Sequence, residues 1–265
     1  MKDIQNSPDT RRIPLDEVGV TSLSYPVTIL DRENREQSTV ADISMYVDLP
    51  MHFKGTHMSR FIEVLTESGC SFTGSTMPLL LARLKAALEA DSAAVKVEFP
   101  YFMERKAPVT GASALMSYRC SFLGVSGPDG DDFVLTVTVP VGTLCPCSRE
   151  ISDAGAHNQR GYLTMEVRTM KKEDGAFEML WIEELVETAE RSASVPLYTI
   201  LKRADEKFVT EQAYENPVFV EDMVREAARE LMADRRVRSF TVRAENHESI
   251  HTHNAYAVVR WSRPS

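Results

Sequence analysis

Residues able to do chemistry are concentrated in three short stretches of the C-terminal half. In the densest, Cys145 and Cys147 flank Pro146, and His157 follows Cys145 by twelve positions. A thiolate and an imidazole at that spacing, on a loop bounded by strands, are donors that one metal ion can share; zinc takes sulfur and nitrogen together in tetrahedral sites. Cysteines that close would form a strained bridge, and four cysteines in 265 residues make no disulfide framework. The second stretch, 246–254, reads NHESIHTHN. In a strand, His251 and His253 point to the same face, so one imidazole can meet a metal while the other serves proton transfer. The third, 201–222, interleaves Lys202, Arg203 and Lys207 with Asp205, Glu206, Glu211, Glu215, Glu221 and Asp222. Its spacing alone says no more than a solvated charged face.

These side chains need elements to hold them. Residues 77–90 carry helix formers throughout behind an early proline and predict a helix, and 181–191 predict a second, amphipathic one. A third is expected over 217–232, with Asn216 as N-cap and Pro217 at the first helical position. Alternation and β-branched or aromatic content predict strands at 40–49, 93–104, 113–125, 132–139, 162–170, 237–245 and 255–261. Gly127-Pro128-Asp129-Gly130 is a hairpin turn signal. Strands outnumber helices and hairpin-like neighbours dominate, so the fold class is α+β with antiparallel sheets. The pattern G-x-H-x-x-R occurs at 55–60 and at 155–160, which suggests a tandem duplication of a ~100-residue unit. The division expected is an N-terminal extended arm over 1–38, a first unit over 39–126, and a second over 127–265 carrying most of the site.

Composition narrows the function. Hydrophobic residues make up 43% and charged residues 26%, as in a soluble globular chain. The formal net charge of −9 argues against a nucleic-acid partner. No apolar run reaches the ~18 residues of a membrane span and the N-terminus has no apolar signal region, so a cytoplasmic location is expected.

The strings LCPCSREIS (144–152), GAHNQR (155–160), KRADEKFVTEQAYENPVFVED (202–222), ESIHTHNAYA (248–257) and KGTHMSRF (54–61) resemble the type IB GTP cyclohydrolases of prokaryotic folate synthesis. The resemblance runs from about residue 40 to 262. It implies two tunnelling-fold (ββααββ) units in tandem, assembling by oligomerisation into barrels as a homotetramer with active sites at subunit interfaces. It implies conversion of GTP and water to 7,8-dihydroneopterin triphosphate and formate, the first step of tetrahydrofolate biosynthesis. It implies a divalent metal (Zn, Mn or Fe) held by Cys145, His157, Glu206 and His251. Glu221 would anchor the guanine, and His253 is the histidine left for proton transfer. The triphosphate would be met by Lys202, Arg203, Arg160 and Lys207, with Lys54, Arg60 and Arg149 as further cations. His247 stands where an aromatic residue is expected. Other readings are a different tunnelling-fold enzyme acting on a purine or pterin, and a non-catalytic zinc-stabilised module closed by Cys145, Cys147, His157 and one other histidine.

Overall fold

In the computed structural model, which describes residue 5 and residues 7–264, the chain opens with two long antiparallel strands, β1 (Leu15–Asp31) and β2 (Arg35–Leu49). The stretch expected as an extended arm therefore holds β1 and the start of β2. Its period is hidden for a physical reason. The register with β2 shifts between Leu15 and Val18 and again between Val20 and Leu23, and such bulges break the alternation by which a strand is read. Only from Val27 onward do buried and outer residues alternate cleanly.

Next come α1 (Met58–Glu67), α2 (Thr76–Leu88), β3 (Ala93–Lys106) and β4 (Ser113–Gly127). After a two-residue turn at Pro128 and Asp129 the chain continues with β5 (Gly130–Leu144), α3 (Pro146–Ile151), β6 (Asn158–Thr169), α4 (Ile182–Arg191), β7 (Val195–Pro196), α5 (Arg203–Glu215), α6 (Val220–Ala233), β8 (Val237–Glu248) and β9 (Ala255–Ser262). Without α3, β7 and α5 the second half repeats the ββααββ order of the first. The class is α+β, with one nine-stranded sheet in the order β1-β2-β3-β4-β5-β6-β8-β9 and β7 on β5.

The repeat is real in element order, but the G-x-H-x-x-R echo does not mark it. The first copy follows β2 and runs into α1; the second lies between α3 and β6 and runs into β6. These are not equivalent positions.

The helices expected at 77–90 and 181–191 are α2 and α4. The third begins later than expected, with Phe219 as N-cap of α6. Asn216 instead ends α5, and its side-chain amide donates to the carbonyls of Ala193 and Ser194 at 3.0 and 3.2 Å. Pro217 cannot continue the α5 hydrogen-bond ladder, so it closes one helix rather than opening the next. Helix α5 buries one residue, Asp205, and so has no apolar stripe from which to be read.

Contacts divide the chain into two compact units. One holds the described residues up to Phe99, Ser121–Leu135 and Met170–Met179. Its core sets Phe61, Leu65, Leu81 and Leu84 of the helices against the inward face of β2 and β3, Ile43, Met45, Val95 and Val97 among them. Gly124 is required where α2 crosses β4, since a Cβ there would lie 2.2 Å from the Met77 Cγ.

The other unit holds Pro100–Cys120, Thr136–Thr169 and the chain from Leu180 onward. There α6 buries Met223, Val224, Ala227, Ala228 and Leu231 and packs on β8 and β9. The Tyr101 hydroxyl donates to the buried Glu183 carboxylate at 2.7 Å, and Arg105 pairs with Glu190, tying β3 to α4. Burial pushes the Glu190 carboxyl up, and the Arg105 guanidinium pulls it partly back.

Candidate functional site

Cys145 is the first residue beyond β5. The loop expected after it is the short helix α3, with Cys145 as N-cap and Pro146 at its first turn; the Cys145 thiol accepts the Ser148 N–H at 3.4 Å. Both ends of the twelve-residue interval are then tied together. The Cys145 N–H donates to the His157 carbonyl at 3.1 Å, and the His157 N–H donates to Ser148 Oγ at 3.2 Å. The preceding residue is held from two sides: the Leu144 N–H donates to Ser194 Oγ at 3.1 Å, and its carbonyl accepts from the Val218 N–H at 3.2 Å. Val218 leads into α6, whose first turn carries the exposed Glu221. Gly161 lets α6 approach β6, since a Cβ there would lie 3.4 Å from the Met223 Cε and 2.7 Å from Asn246 Oδ1.

His157 is nearly buried, its side chain 11% exposed, and its Nδ1 is buried with no hydrogen-bond partner. The nearest charge is Glu248 Oε2 at 3.7 Å, beyond the range of an N–H···O bond. The His251 ring lies edge-on to that of His157 at 6.4 Å, and His253 stacks on His251 at 5.1 Å with 19° between planes. These two histidines are not in a strand, as alternation suggested. They sit in the loop between β8 and β9, where bends bring both rings to one side. His247 faces elsewhere, 5.0 Å from the Tyr162 ring and 3.3 Å from Glu245.

The structure thus gathers Cys145, His157, His251 and His253 near the ends of β5, β6 and β8. Glu206 is exposed in the first turn of α5. Its neighbour Asp205 is the anchored carboxylate, accepting the N–H groups of Val109 and Thr110, the Thr110 hydroxyl and the Lys202 N–H at 2.6–2.9 Å. Burial alone would raise this carboxyl, but the Thr110, Lys202 and Val109 donors outweigh it and hold it well below the usual carboxylate range. Lys202, Arg203 and Lys207 occupy the entry and first turns of the same helix, with Lys207 3.7 Å from Glu211 on the surface. Arg160 pairs across the sheet with His247. Arg149 lies over the Tyr214 ring at 4.7 Å, so the end of α5 rests on α3. In the first unit, the Arg60 guanidinium is engaged with the Ala87 carbonyl of α2 at 2.8 Å.

Sequence reading misses Glu248. Its partner Gln159 stands directly opposite it across β6 and β8, a pairing visible only once the register is known. Among the cysteines, Cys147 is exposed, whereas burial and the nearby Glu183 push the Cys120 thiol up.

Could these residues hold a metal? Among the described residues, no three His, Cys, Asp or Glu side chains converge closely enough to grip an ion as they stand. The donor types fit: the Cys145 thiol and the neighbouring imidazoles of His157 and His251, whose ring centres lie 6.4 Å apart. No helix of the described residues is long and apolar enough to cross a membrane.

A family model described as type I GTP cyclohydrolase folE2 matches residues 1–257. Proteins named GTP cyclohydrolase FolE2 from Geotalea uraniireducens and Thermosipho melanesiensis are 53% and 52% identical to this chain over 259 residues. The matches span 98% of this chain and 93% and 97% of theirs. Among solved structures the chain is similar to a urate oxidase from Bacillus sp. TB-90 (TM-score 0.53, 8% identity) and a uricase from Bacillus fastidious (TM-score 0.54, 6% identity). Each covers 93% of this chain, and the matches span 99% and 93% of theirs. The oxidases share the fold and little else, whereas the cyclohydrolases share about half of all positions over nearly the full length, and the chain belongs to the type I GTP cyclohydrolase folE2 family.

Proposed function

We propose that this chain converts GTP and water to 7,8-dihydroneopterin triphosphate and formate, entering tetrahydrofolate biosynthesis, at a divalent metal centre in its second half. The observation that carries the reading is the double tie at Leu144 and Cys145. One backbone bond joins the thiol residue to His157, and another joins its neighbour to the entry of the helix bearing Glu221. The two bonds support the reading because they bring the His157 backbone and the entry of α6 to adjacent residues.

Cys145, His157 and His251 are the donors proposed for the ion, with Glu206 as the carboxylate supplied by the family resemblance. A bound divalent ion, whether Zn, Mn or Fe, would lower the pKa of water at the site so that it can attack the purine C8 at neutral pH. The remaining work belongs to side chains. Guanine presents N1–H and a 2-amino group on one edge, two donors that the Glu221 carboxylate can accept together. Opening the imidazole ring and rearranging the ribose need protons moved at ring nitrogens and sugar hydroxyls. His253, stacked on His251 and outside the proposed ligand set, is suited to that transfer. Lys202, Arg203, Lys207 and Arg160 are the cations proposed for the triphosphate. The surface pair Lys207–Glu211 is weak enough to exchange for a phosphate oxygen.

We further propose that the ββααββ halves are tunnelling-fold units and that copies assemble as a homotetramer. The support is the sheet order, which ends in β1 and β9; open edges invite pairing with another chain. Turnover of GTP read by pterin fluorescence, beside metal analysis, tests the central reading. Exhaustive chelation should abolish turnover and a divalent ion should restore it. Full turnover at near-zero metal content would overturn the metal centre, and intact GTP with metal-loaded protein would overturn the activity. A fully active monomer by light scattering would remove the assembly.

A further inference from the structure

The buried Nδ1 of His157 without a partner has a prepared neighbour. Across β6 and β8 the register sets Gln159 opposite Glu248. The Gln159 amide donates to both carboxylate oxygens of Glu248, at 3.0 Å each. On its other side, Gln159 Oε1 accepts from the Thr143 hydroxyl at 2.9 Å, and Thr143 is 1% exposed. Three strands thus contribute one residue each to a chain that ends with Glu248 Oε2 3.7 Å from His157 Nδ1. The Glu248 side chain is 9% exposed. A surface ion pair needs no such backing; a carboxylate aimed at one imidazole nitrogen does.

We propose that Thr143, Gln159 and Glu248 are positioning residues for His157. Glu248 Oε2, 3.7 Å from Nδ1, is the acceptor that Nδ1–H would close on when a divalent ion binds, which leaves the other ring nitrogen, Nε2, to offer its lone pair to that ion. Metal-ligating histidines commonly donate their second N–H to such a carboxylate, and loss of the partner weakens metal binding by about 10–100-fold. The inference rests on the metal centre proposed above and adds to it which nitrogen of His157 is presented and what fixes it.

The test is Zn2+ affinity of the metal-free full chain, measured by competition with a chromophoric chelator. Wild type is compared with Gln159→Leu, Glu248→Ala, Thr143→Val and Cys145→Ala, with the melting temperature of each metal-free form recorded. Gln159→Leu and Glu248→Ala should weaken Zn2+ binding by about 10–100-fold, and at saturating Zn2+ lower kcat while leaving KM for GTP unchanged. Thr143→Val, nearly isosteric, should shift affinity in the same direction by less and keeps the test open if Gln159→Leu does not fold. Affinities within about twofold of wild type for the folded variants, with Cys145→Ala impaired, would overturn the positioning role alone. Loss of all binding in Glu248→Ala, equal to that in Cys145→Ala, would also overturn it and make Glu248 a ligand. Equal binding by wild type and Cys145→Ala would remove the metal centre itself, and the inference with it.

Discussion

In the first half β1 turns into β2 through three residues, 32–34, pinned by the Asp31 carboxylate, which accepts the Glu33 and Asn34 N–H groups at 2.9 and 2.7 Å. The corresponding β5–β6 connection of the second half runs from Cys145 to His157 and contains α3. Length is not the difference at the last hairpin: residues 107–112 link β3 to β4 in the first half, and the β8–β9 loop of the second, 249–254, is as short yet carries His251 and His253. The α1–α2 link is short, whereas β7 and α5, with Lys202, Arg203, Glu206 and Lys207, fill the span between α4 and α6. The repeated elements supply rigid ends in both halves, and the candidate site residues have collected in the connections of one half, the β5–β6 and helix–helix ones lengthened and the β8–β9 one not. Loops tolerate such growth because they bury little and are positioned by the scaffold.

The strongest challenge to this contrast is Cys145→Ala, which should lower GTP turnover by several orders of magnitude because the residue both caps α3 and offers the thiol. Turnover within about tenfold of wild type would move the chemistry out of the lengthened β5–β6 connection. Next in size is Glu221→Gln. Its amide would oppose a guanine donor, and an unpaired buried polar group costs ~1–3 kcal/mol, so kcat/KM for GTP should fall at least about tenfold with metal content unchanged. Inosine triphosphate, lacking the 2-amino group, should lose less. Equal losses for the two nucleotides would take Glu221 out of guanine recognition and turn attention to Glu215 or Glu211.

Smaller effects separate scaffold from site. The Asp205 carboxyl is depressed in the folded chain, so its contribution to stability is present above the ordinary carboxylate pKa of about 3.9 and lost as pH falls below it. Asp205→Ala should therefore lower the melting temperature at pH 7, with the gap to wild type narrowing below about pH 4. A gap independent of pH would mean that packing, not the charge, holds the start of α5. The mildest is Arg60→Gln, which removes a partly buried bond to the Ala87 carbonyl. It should cost at most ~1–2 kcal/mol, a fall of a few degrees in melting temperature, with turnover unchanged. A large loss of turnover would give the first G-x-H-x-x-R copy a role in the reaction after all.

Residue types and local spacing made much of this molecule legible. Helix formers behind a proline mark α2, alternation marks β2 and β8, and the CPC, GAHNQR and HTH strings supply the candidate donors. Each depends on neighbours within a few positions, where propensity and periodicity act. What escaped depends on partners far along the chain. The bulges of β1 are legible only against β2. Helix α5 is held at its start by one buried carboxylate bound to residues 95 and 96 positions away, not by an apolar stripe. The bond between Gln159 and Glu248 spans 89 positions and exists because the β6–β8 register sets them opposite each other. A slip of one residue would turn both side chains to other faces. Donor identity is a property of the sequence; which carboxylate meets which imidazole is a property of strand register, and only the folded chain has one.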